Sequence, residues 1–418
     1  MRRRMRRSGL LRAAALMAAA TFGLACGPTL PESGPPSPPA GASPASVAST
    51  ANSAPSAGTW IAARVEQPAA IEAAPTDAPA FCSPCHPILG TYIDALVSFH
   101  GGLLAFGFDQ PPSHAALWSS ADGAAWRRVA GFPAPEGSSI AAAVAGAGGA
   151  VVAVGTSGGR AAVWSSTDGA SWTLTLLTGP GSSAAETLTA VSAVGSGYAA
   201  GGYVESATAV RTASLWRSPD AKGWTRSEAT VPAGPSEVTG LAAVGPATLI
   251  AVGIAGDERR GTAAVWRSTD GGASWSSVVT PALAIGRMLA IASSRPAVVA
   301  VGELQDQTGA AAWYSTDGST WVAAARTGLD NDGLQMVMTA VSPTNSGFVA
   351  AGWRTDAGNG SAVVWRSSDG RAWVHLPQQP TFSGAGLSSI LGSPVLMVAG
   401  TMGWPDTHAA QVWTAAGG

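Results

Sequence analysis

The residues with the clearest chemical reading in this chain of 418 residues are Cys82, Cys85 and His86, in the run Phe81-Cys82-Ser83-Pro84-Cys85-His86. Two thiols two residues apart and followed by an imidazole can attach a c-type haem through two thioethers, with the histidine as axial ligand. In an oxidising compartment the same thiols join as a local disulfide. A haem also needs an apolar pocket built from tens of residues, and the neighbouring stretch offers little room for one. The Cys82–Cys85 disulfide is therefore the expectation, haem is the alternative, and no cofactor is expected.

A second possible chemistry is acid–base hydrolysis. Asp94, Asp109, Glu205, Glu303, Asp356 and Asp406 could supply the paired carboxyls of a glycosidase if two of them faced one cleft about 5 to 9.5 Å apart. Their settings read instead as solvated loop charge, so no catalytic residue is expected. His86, His114 and His408 fall at equivalent places in a repeat set out below and would permit a metal site, but the expectation is that no metal is bound.

The elements that must position these residues follow from an internal repeat. The segment Ala116-Leu117-Trp118-Ser119-Ser120-Ala121-Asp122-Gly123-Ala124-Ala125-Trp126 recurs, in degenerate form, with its first tryptophan at Trp164, Trp216, Trp266, Trp313 and Trp365, and in truncated form at Trp413. A spacing of 46 to 52 residues matches one four-stranded propeller blade. Each unit reads as strand, tight turn, strand ending in Gly, variable loop, strand with Trp, Asp-Gly turn, strand with Trp. The Asp-Gly step is a strong hairpin signal because Gly supplies the positive φ that the turn needs. The last copy lacks its outer strand, and Ser56-Ala57-Gly58-Thr59-Trp60-Ile61-Ala62-Ala63 near the N-terminus looks like that strand. The predicted fold is all-β: a seven-bladed β-propeller over residues 58–418, its ring closed by an N-terminal strand.

Residues 1–25 carry Arg2, Arg3, Arg4, Arg6, Arg7 and Arg12 and then a run of small apolar residues ending at Leu24-Ala25-Cys26. This is the pattern of an export signal. Residues 26–57 are rich in Pro, Ser and Ala, cannot bury enough apolar surface to order themselves, and read as a tether. Without the six N-terminal arginines the chain has 17 basic against 25 acidic residues, a formal charge of −8. That balance argues against nucleic acid as a partner.

Three resemblances add to this reading. Phe22-Gly23-Leu24-Ala25-Cys26 resembles a bacterial lipobox, which implies lipidation of Cys26 and a cell-surface or periplasmic lipoprotein held to the membrane by its lipid alone. Ser268-Thr269-Asp270-Gly271-Gly272-Ala273-Ser274-Trp275 resembles the Asp-box (BNR) repeat of sialidase-like propellers. The other copies are one residue shorter, and the copy at Asp220 lacks the following Gly. This likeness implies structural roles for Asp122, Asp168, Asp220, Asp270, Asp317 and Asp369, whose carboxylates would bind backbone N–H groups in the turn. Sialidases also carry an Arg-Ile-Pro motif and a Tyr/Glu nucleophile pair, and neither is recognisable here. The combination of lipobox and seven-bladed propeller is similar in architecture to the assembly factors of photosystem II.

Of the 16 tryptophans, fourteen fall on the third and outer strands and two do not. Trp353 and Trp404 lie just past the second-strand Gly in adjacent units. Together with Tyr203, Phe108 and Arg354 they are the candidate ligand or partner site, on the face carrying the loops after the second strand. The function expected is that of an extracytoplasmic binding or scaffolding propeller, monomeric, recognising a protein or glycan. A sialidase-like glycoside hydrolase is the alternative.

Overall fold

The computed structural model describes residues 59–68, 89–110, 112–178, 184–229, 234–256, 261–305, 309–329, 335–356, 359–403 and 407–415. The expected signal and tether, Cys26, the Cys82–Cys85 pair with His86, and Trp404 lie outside the described residues.

The described chain forms antiparallel four-stranded meanders, here called blades. Blade 1 comprises Leu89–Phe99, Gly102–Gln110, His114–Ser120 and Ala125–Arg128, in that order from its inner to its outer strand. The inner strands of the following blades are Ser138–Ala145, Ala185–Val194, Ser236–Ala243, Gly286–Ser294, Met336–Thr344 and Ala385–Leu391. Each packs on the next, and the last packs on Leu89–Phe99. This radial stack of sheets around an axis is a β-propeller. Both faces of each blade are covered by neighbours, so the second strands are continuous apolar runs rather than alternating ones. Val151–Ser157 is buried along its whole length.

The seventh unit has three strands from the C-terminal end, and its outer strand is Trp60–Ala62, with Trp60 opposite Ala415 and Ala62 opposite Trp413. Immediately afterwards Arg64–Val65 pairs in parallel with Ala125–Trp126 on the outer edge of blade 1. Gln67 Nε2 donates to the Ala410 carbonyl at 2.9 Å, and Trp118 Nε1 donates to the Glu66 carbonyl at 2.8 Å. The N-terminal segment thus fastens the last blade to the first by backbone and side-chain bonds together.

In one respect the strands differ from the sequence expectation. The second strand does not end at its glycine: Gly102–Gln110 runs three residues past Gly107, and Gly347–Asp356 runs four past Gly352. The glycine is interior because the inner strand opposite it bulges. In all seven blades the register shifts by one residue there, at Asp94, Ala141, Thr189, Thr239, Leu289, Thr339 and Ser388. The bulge brings the facing backbone against the glycine. A Cβ on Gly107, Gly155, Gly202, Gly253, Gly302, Gly352 or Gly400 would lie 2.7 to 3.0 Å from the carbonyl carbon of the inner-strand residue two before the bulge, with its oxygen nearer still. Close backbone approach at a β-bulge, not a turn, is why glycine recurs here.

Candidate functional site

The loops that follow the second strands and the links that enter each inner strand share one face. Gly158 N–H donates to Gly137, Gly256 N–H to Pro235, Thr355 N–H to Gln335 and Gly403 N–H to Gly384, each bond joining one kind of segment to the other. The Asp-Gly turns lie at the opposite end of the third strands.

On this loop face the residue after each bulge glycine occupies one equivalent position: Phe108, Thr156, Tyr203, Ile254, Glu303, Trp353 and Thr401. Opposite it on the third strand stands Ala115, Ala161, Ala213, Ala263, Ala310, Ala362 or Ala410. Alanine at this one place in every third strand leaves room for a facing side chain that varies from blade to blade. Three of the sequence candidates, Phe108, Tyr203 and Trp353, are therefore variants of one position in blades 1, 3 and 6.

Two of these three rings are buried. Trp353 is 5% exposed and Tyr203 4% exposed, so both rings are largely shielded from solvent. Phe108 is half-buried and stacks on Tyr92 with ring centroids 4.8 Å apart. Arg354 is half-buried beside Trp353 in the same strand. Trp353 was set apart in sequence because it breaks the two-tryptophan pattern, but the pattern fixes only the third and outer strands, and the second strand has its own variable core position.

The carboxylates of this face sit against arginines. Arg211 lies 3.4 Å from Glu205 and 3.0 Å from Glu237 across the junction of blades 3 and 4, with its guanidinium 4.4 Å from the Tyr203 ring centroid. Glu186 accepts from Trp216 Nε1 at 2.9 Å and lies 3.5 Å from Arg226. Asp109 is paired with Arg128 and accepts from Thr91 Oγ1 at 2.9 Å. Glu303 is paired with Arg287, its side chain 4% exposed. Burial pushes the Glu303 carboxyl upward and the Arg287 charge opposes that. Sequence reading missed these pairs because most of their members are distant along the chain, as with Glu186 and Arg226.

At the meeting of blades 1 and 7 a buried aromatic group collects Tyr92, Phe108 and His408, with the Tyr92 and His408 rings 5.2 Å apart. Burial lowers the His408 pKa and raises that of Tyr92 to about 12; the Gln110 amide opposes the rise and the Asp94 charge adds to it. His114, by contrast, places Nδ1 3.0 Å from the Ala134 carbonyl. Among the described residues no three His, Cys, Asp or Glu side chains converge as a metal-ligand group.

In the Asp-Gly turns the carboxylates are occupied by backbone donors. Asp168 Oδ1 accepts from Ala170 and Ser171 N–H at 2.8 and 2.7 Å, and Asp317 Oδ1 accepts from Ser319 and Thr320 N–H at 2.7 Å each. Asp122, Asp220, Asp270 and Asp369 repeat the arrangement. The preceding serine accepts from the turn glycine, as Ser120 does from Gly123 at 2.9 Å, and the outer tryptophan donates its indole N–H to that residue's carbonyl, as Trp126 does to Gly123 at 3.0 Å. Where the glycine is missing, Ala221 takes the same backbone shape with φ of 65°. Backbone N–H donors hold Asp122, Asp168, Asp220, Asp317 and Asp369 below the usual carboxylate range. Asp270 reaches about 2 against the desolvation that opposes it, chiefly through Ser274. Carboxylates so engaged are poor candidates for proton transfer.

No protein-family model matches the chain, and no curated protein matches it. Solved structures do. YCF48 from Cyanidioschyzon merolae aligns over 86% of this chain and 98% of its own with a TM-score of 0.48 and 12% identity. A GH74 xyloglucanase from Xanthomonas campestris aligns over 77% of this chain and 54% of its own, with a TM-score of 0.49 and 17% identity. The Trypanosoma rangeli sialidase aligns over 79% and 55%, with a TM-score of 0.45 and 15% identity. This chain spans about half the length of the two hydrolases.

Proposed function

We propose that this protein is an exported, lipid-anchored binding propeller whose loop face recognises a protein or glycan. The observation that carries the reading is the internal comparison of its blades. The bulge glycine, the facing alanine and the third-strand tryptophan recur in all seven units, whereas the position between them runs Phe108, Thr156, Tyr203, Ile254, Glu303, Trp353 and Thr401. The position is buried in six of the seven blades, so its variation shapes the packing beneath one rim, and the differing loops that it supports there are where such folds carry recognition.

The charge pairs favour binding over hydrolysis. A retaining or inverting glycosidase needs one carboxyl kept protonated and one free carboxylate, both in contact with the sugar. Glu205 and Glu237 share Arg211, Asp109 holds Arg128, and Glu303, the one whose carboxyl is pushed upward, is enclosed with Arg287. The Asp-Gly turns, read as Asp-boxes, supply framework alone. The signal-like N-terminus and Cys26 support attachment to a membrane by lipid, with the tether of residues 26–57 as the spacer.

The test uses the full chain purified from the membrane fraction, offered to a glycan array and to envelope extracts with crosslinking. Saturable capture of one protein or glycan without turnover is expected, and steady release of reducing sugar from a bound glycan would overturn the reading in favour of a hydrolase. Cys26→Ala should move the protein to the soluble fraction; retention in the membrane would refute the lipid anchor.

A further inference from the structure

Two of the blades carry a fifth strand. On blade 1, Arg64–Val65 runs parallel to Ala125–Trp126, with Val65 opposite Trp126. Arg64 N–H donates to the Ala124 carbonyl at 2.9 Å and Glu66 N–H to the Trp126 carbonyl at 3.0 Å, while the Glu66 carboxylate accepts from Arg128 N–H at 3.0 Å. On blade 4, Glu228–Ala229 runs parallel to Ser274–Trp275, with Ala229 opposite Trp275 and Glu228 N–H donating to the Ala273 carbonyl at 3.1 Å. Each fifth strand comes from the link that arrives from the preceding blade. Each sets a small or β-branched apolar residue beside an outer tryptophan that is buried.

The covered outer strands are long ones, Ala125–Arg128 and Ser274–Val278. Those of blades 3, 5, 6 and 7 have two or three residues, and a short edge offers a foreign strand little to pair with. Blade 2 fits neither class. Its outer strand, Thr173–Leu176, has four residues, yet among the described residues no strand lies beside its outer edge. The link from blade 1 explains this, because it reads Phe132-Pro133-Ala134-Pro135 and proline has no N–H to give to an edge. Phe132 brings only its ring, edge-on to Trp172 at 5.4 Å, and Trp172 stays half-buried.

The groups that this edge presents follow from its pairing. Leu177 N–H donates inward to the Ala161 carbonyl, so by the alternation of an antiparallel pair the N–H groups of Leu174 and Leu176 point outward. Aligned on the repeat, the Ala170 and Trp172 carbonyls and the Leu174 N–H correspond to the three groups of Ala124, Trp126 and Arg128 that hold the fifth strand on blade 1. Thr173–Leu176 also lacks charge and proline, the usual protections of an open edge.

We infer that the outer edge of blade 2 is a docking edge for an extended segment of a partner protein, which adds to it as a parallel fifth strand. The two internal fifth strands define the chemistry of that segment. It offers two backbone N–H groups, in the relation of Arg64 to Glu66, to the Ala170 and Trp172 carbonyls. Between them it sets a side chain of alanine or valine size against Trp172, and a carboxylate follows to accept from Leu174 N–H. In strand addition the main-chain bonds supply affinity and the side-chain pocket supplies selection. This edge is on the outer rim, apart from the loop face, so the inference stands whether or not that face binds a ligand.

The probe is a fluorescent peptide with the sequence Ala62-Ala63-Arg64-Val65-Glu66-Gln67, titrated to millimolar concentration against the full chain and read by fluorescence anisotropy. Saturable binding is expected, and methylating the backbone nitrogens of its Arg and Glu should abolish it. Leu174→Pro removes an N–H that bonds nothing within the blade, so the variant should keep the native melting temperature and bind the peptide at least about tenfold more weakly. The methylated peptide is tried on the native chain and does not depend on the variant folding. Absence of saturable binding, equal binding of the methylated peptide, or undiminished binding by a folded Leu174→Pro protein overturns the inference. So does a native dimer that Leu174→Pro converts to monomer, since a second copy of the chain would then occupy the edge.

Discussion

Gly107→Ala tests whether the bulge, rather than the turn chemistry that the sequence suggests, is what requires glycine in each second strand. The new methyl would start 2.7 Å from the Tyr92 carbonyl carbon and 3.0 Å from Ile93 Cα, with the Tyr92 oxygen nearer still. Backbone atoms cannot swing away as a side-chain tip can, so the two strands must separate where Tyr92 faces Phe108 and Ile93 faces Gly107. Overpacking costs about 1 to 3 kcal/mol, and two weakened ladder bonds add about 1 kcal/mol each. Against this, replacing glycine lowers the entropy of the unfolded chain by about 0.5 to 1 kcal/mol. The net destabilisation is about 2 to 4 kcal/mol. At roughly 0.7 kcal/mol per degree for a domain of about 350 residues, this lowers the melting temperature by about 3 to 6 °C. Gly102→Ala is the control in the same strand: its nearest neighbours would be 3.5 and 3.7 Å away and its φ is not positive, so it should leave stability unchanged or raise it slightly. The assay is urea unfolding followed by far-ultraviolet circular dichroism. Indistinguishable midpoints for the two variants would refute the close-approach argument.

Trp353→Ala should lower stability by about 3 to 5 kcal/mol, because it empties a buried site; a variant with native melting temperature and lost partner binding would instead restore the ring to the recognition surface. Acid should destabilise the fold through the Asp-Gly turns. Their carboxylates have depressed pKa values, so their contribution is present above the unfolded value near 4 and is lost as pH falls through the folded value, about 2 for Asp270. Solvent screening limits the Asp270 share to about 1 kcal/mol or less, and Asp270→Asn should narrow the gap between urea midpoints at pH 7 and pH 3; an unchanged gap would count against the turn bonds. Deleting residues 27–55 should leave melting unchanged, whereas deleting 27–65 removes Trp60 and its pairing with Trp413 through Ala415, and should lower stability by several kcal/mol; equal melting of the two would show that the N-terminal strand contributes nothing.

The fold was legible because the signal repeats. Seven tryptophans at a near-constant spacing, six of them ahead of an Asp-Gly step or its remnant, name the third strand, the turn and the outer strand, and the orphan segment at Trp60 names the partner for the incomplete last unit. The bulge was not legible. A lone glycine after an apolar run reads equally as a strand end and as a close approach, and only the facing strand tells them apart. The candidate site was legible in part. The sequence places Phe108, Tyr203, Trp353 and Arg354 near one rim, but composition cannot tell a ring that faces solvent from one that fills the space above an alanine. Nor can it pair Arg211 with Glu237, which belong to different blades.

The repeat also separates two kinds of departure from pattern. Ala221 occupies a glycine position at φ of 65°, yet it is buried and packs with Leu177, Leu188 and Trp216. Its methyl therefore returns in contact much of what its backbone strain costs, and the substitution stays within the work of folding. At the bulge, Asp94 stands where four other blades carry a hydroxyl that donates to the neighbouring blade. Asp109, an acid at the rim of the same blade, is met by Arg128 and Thr91.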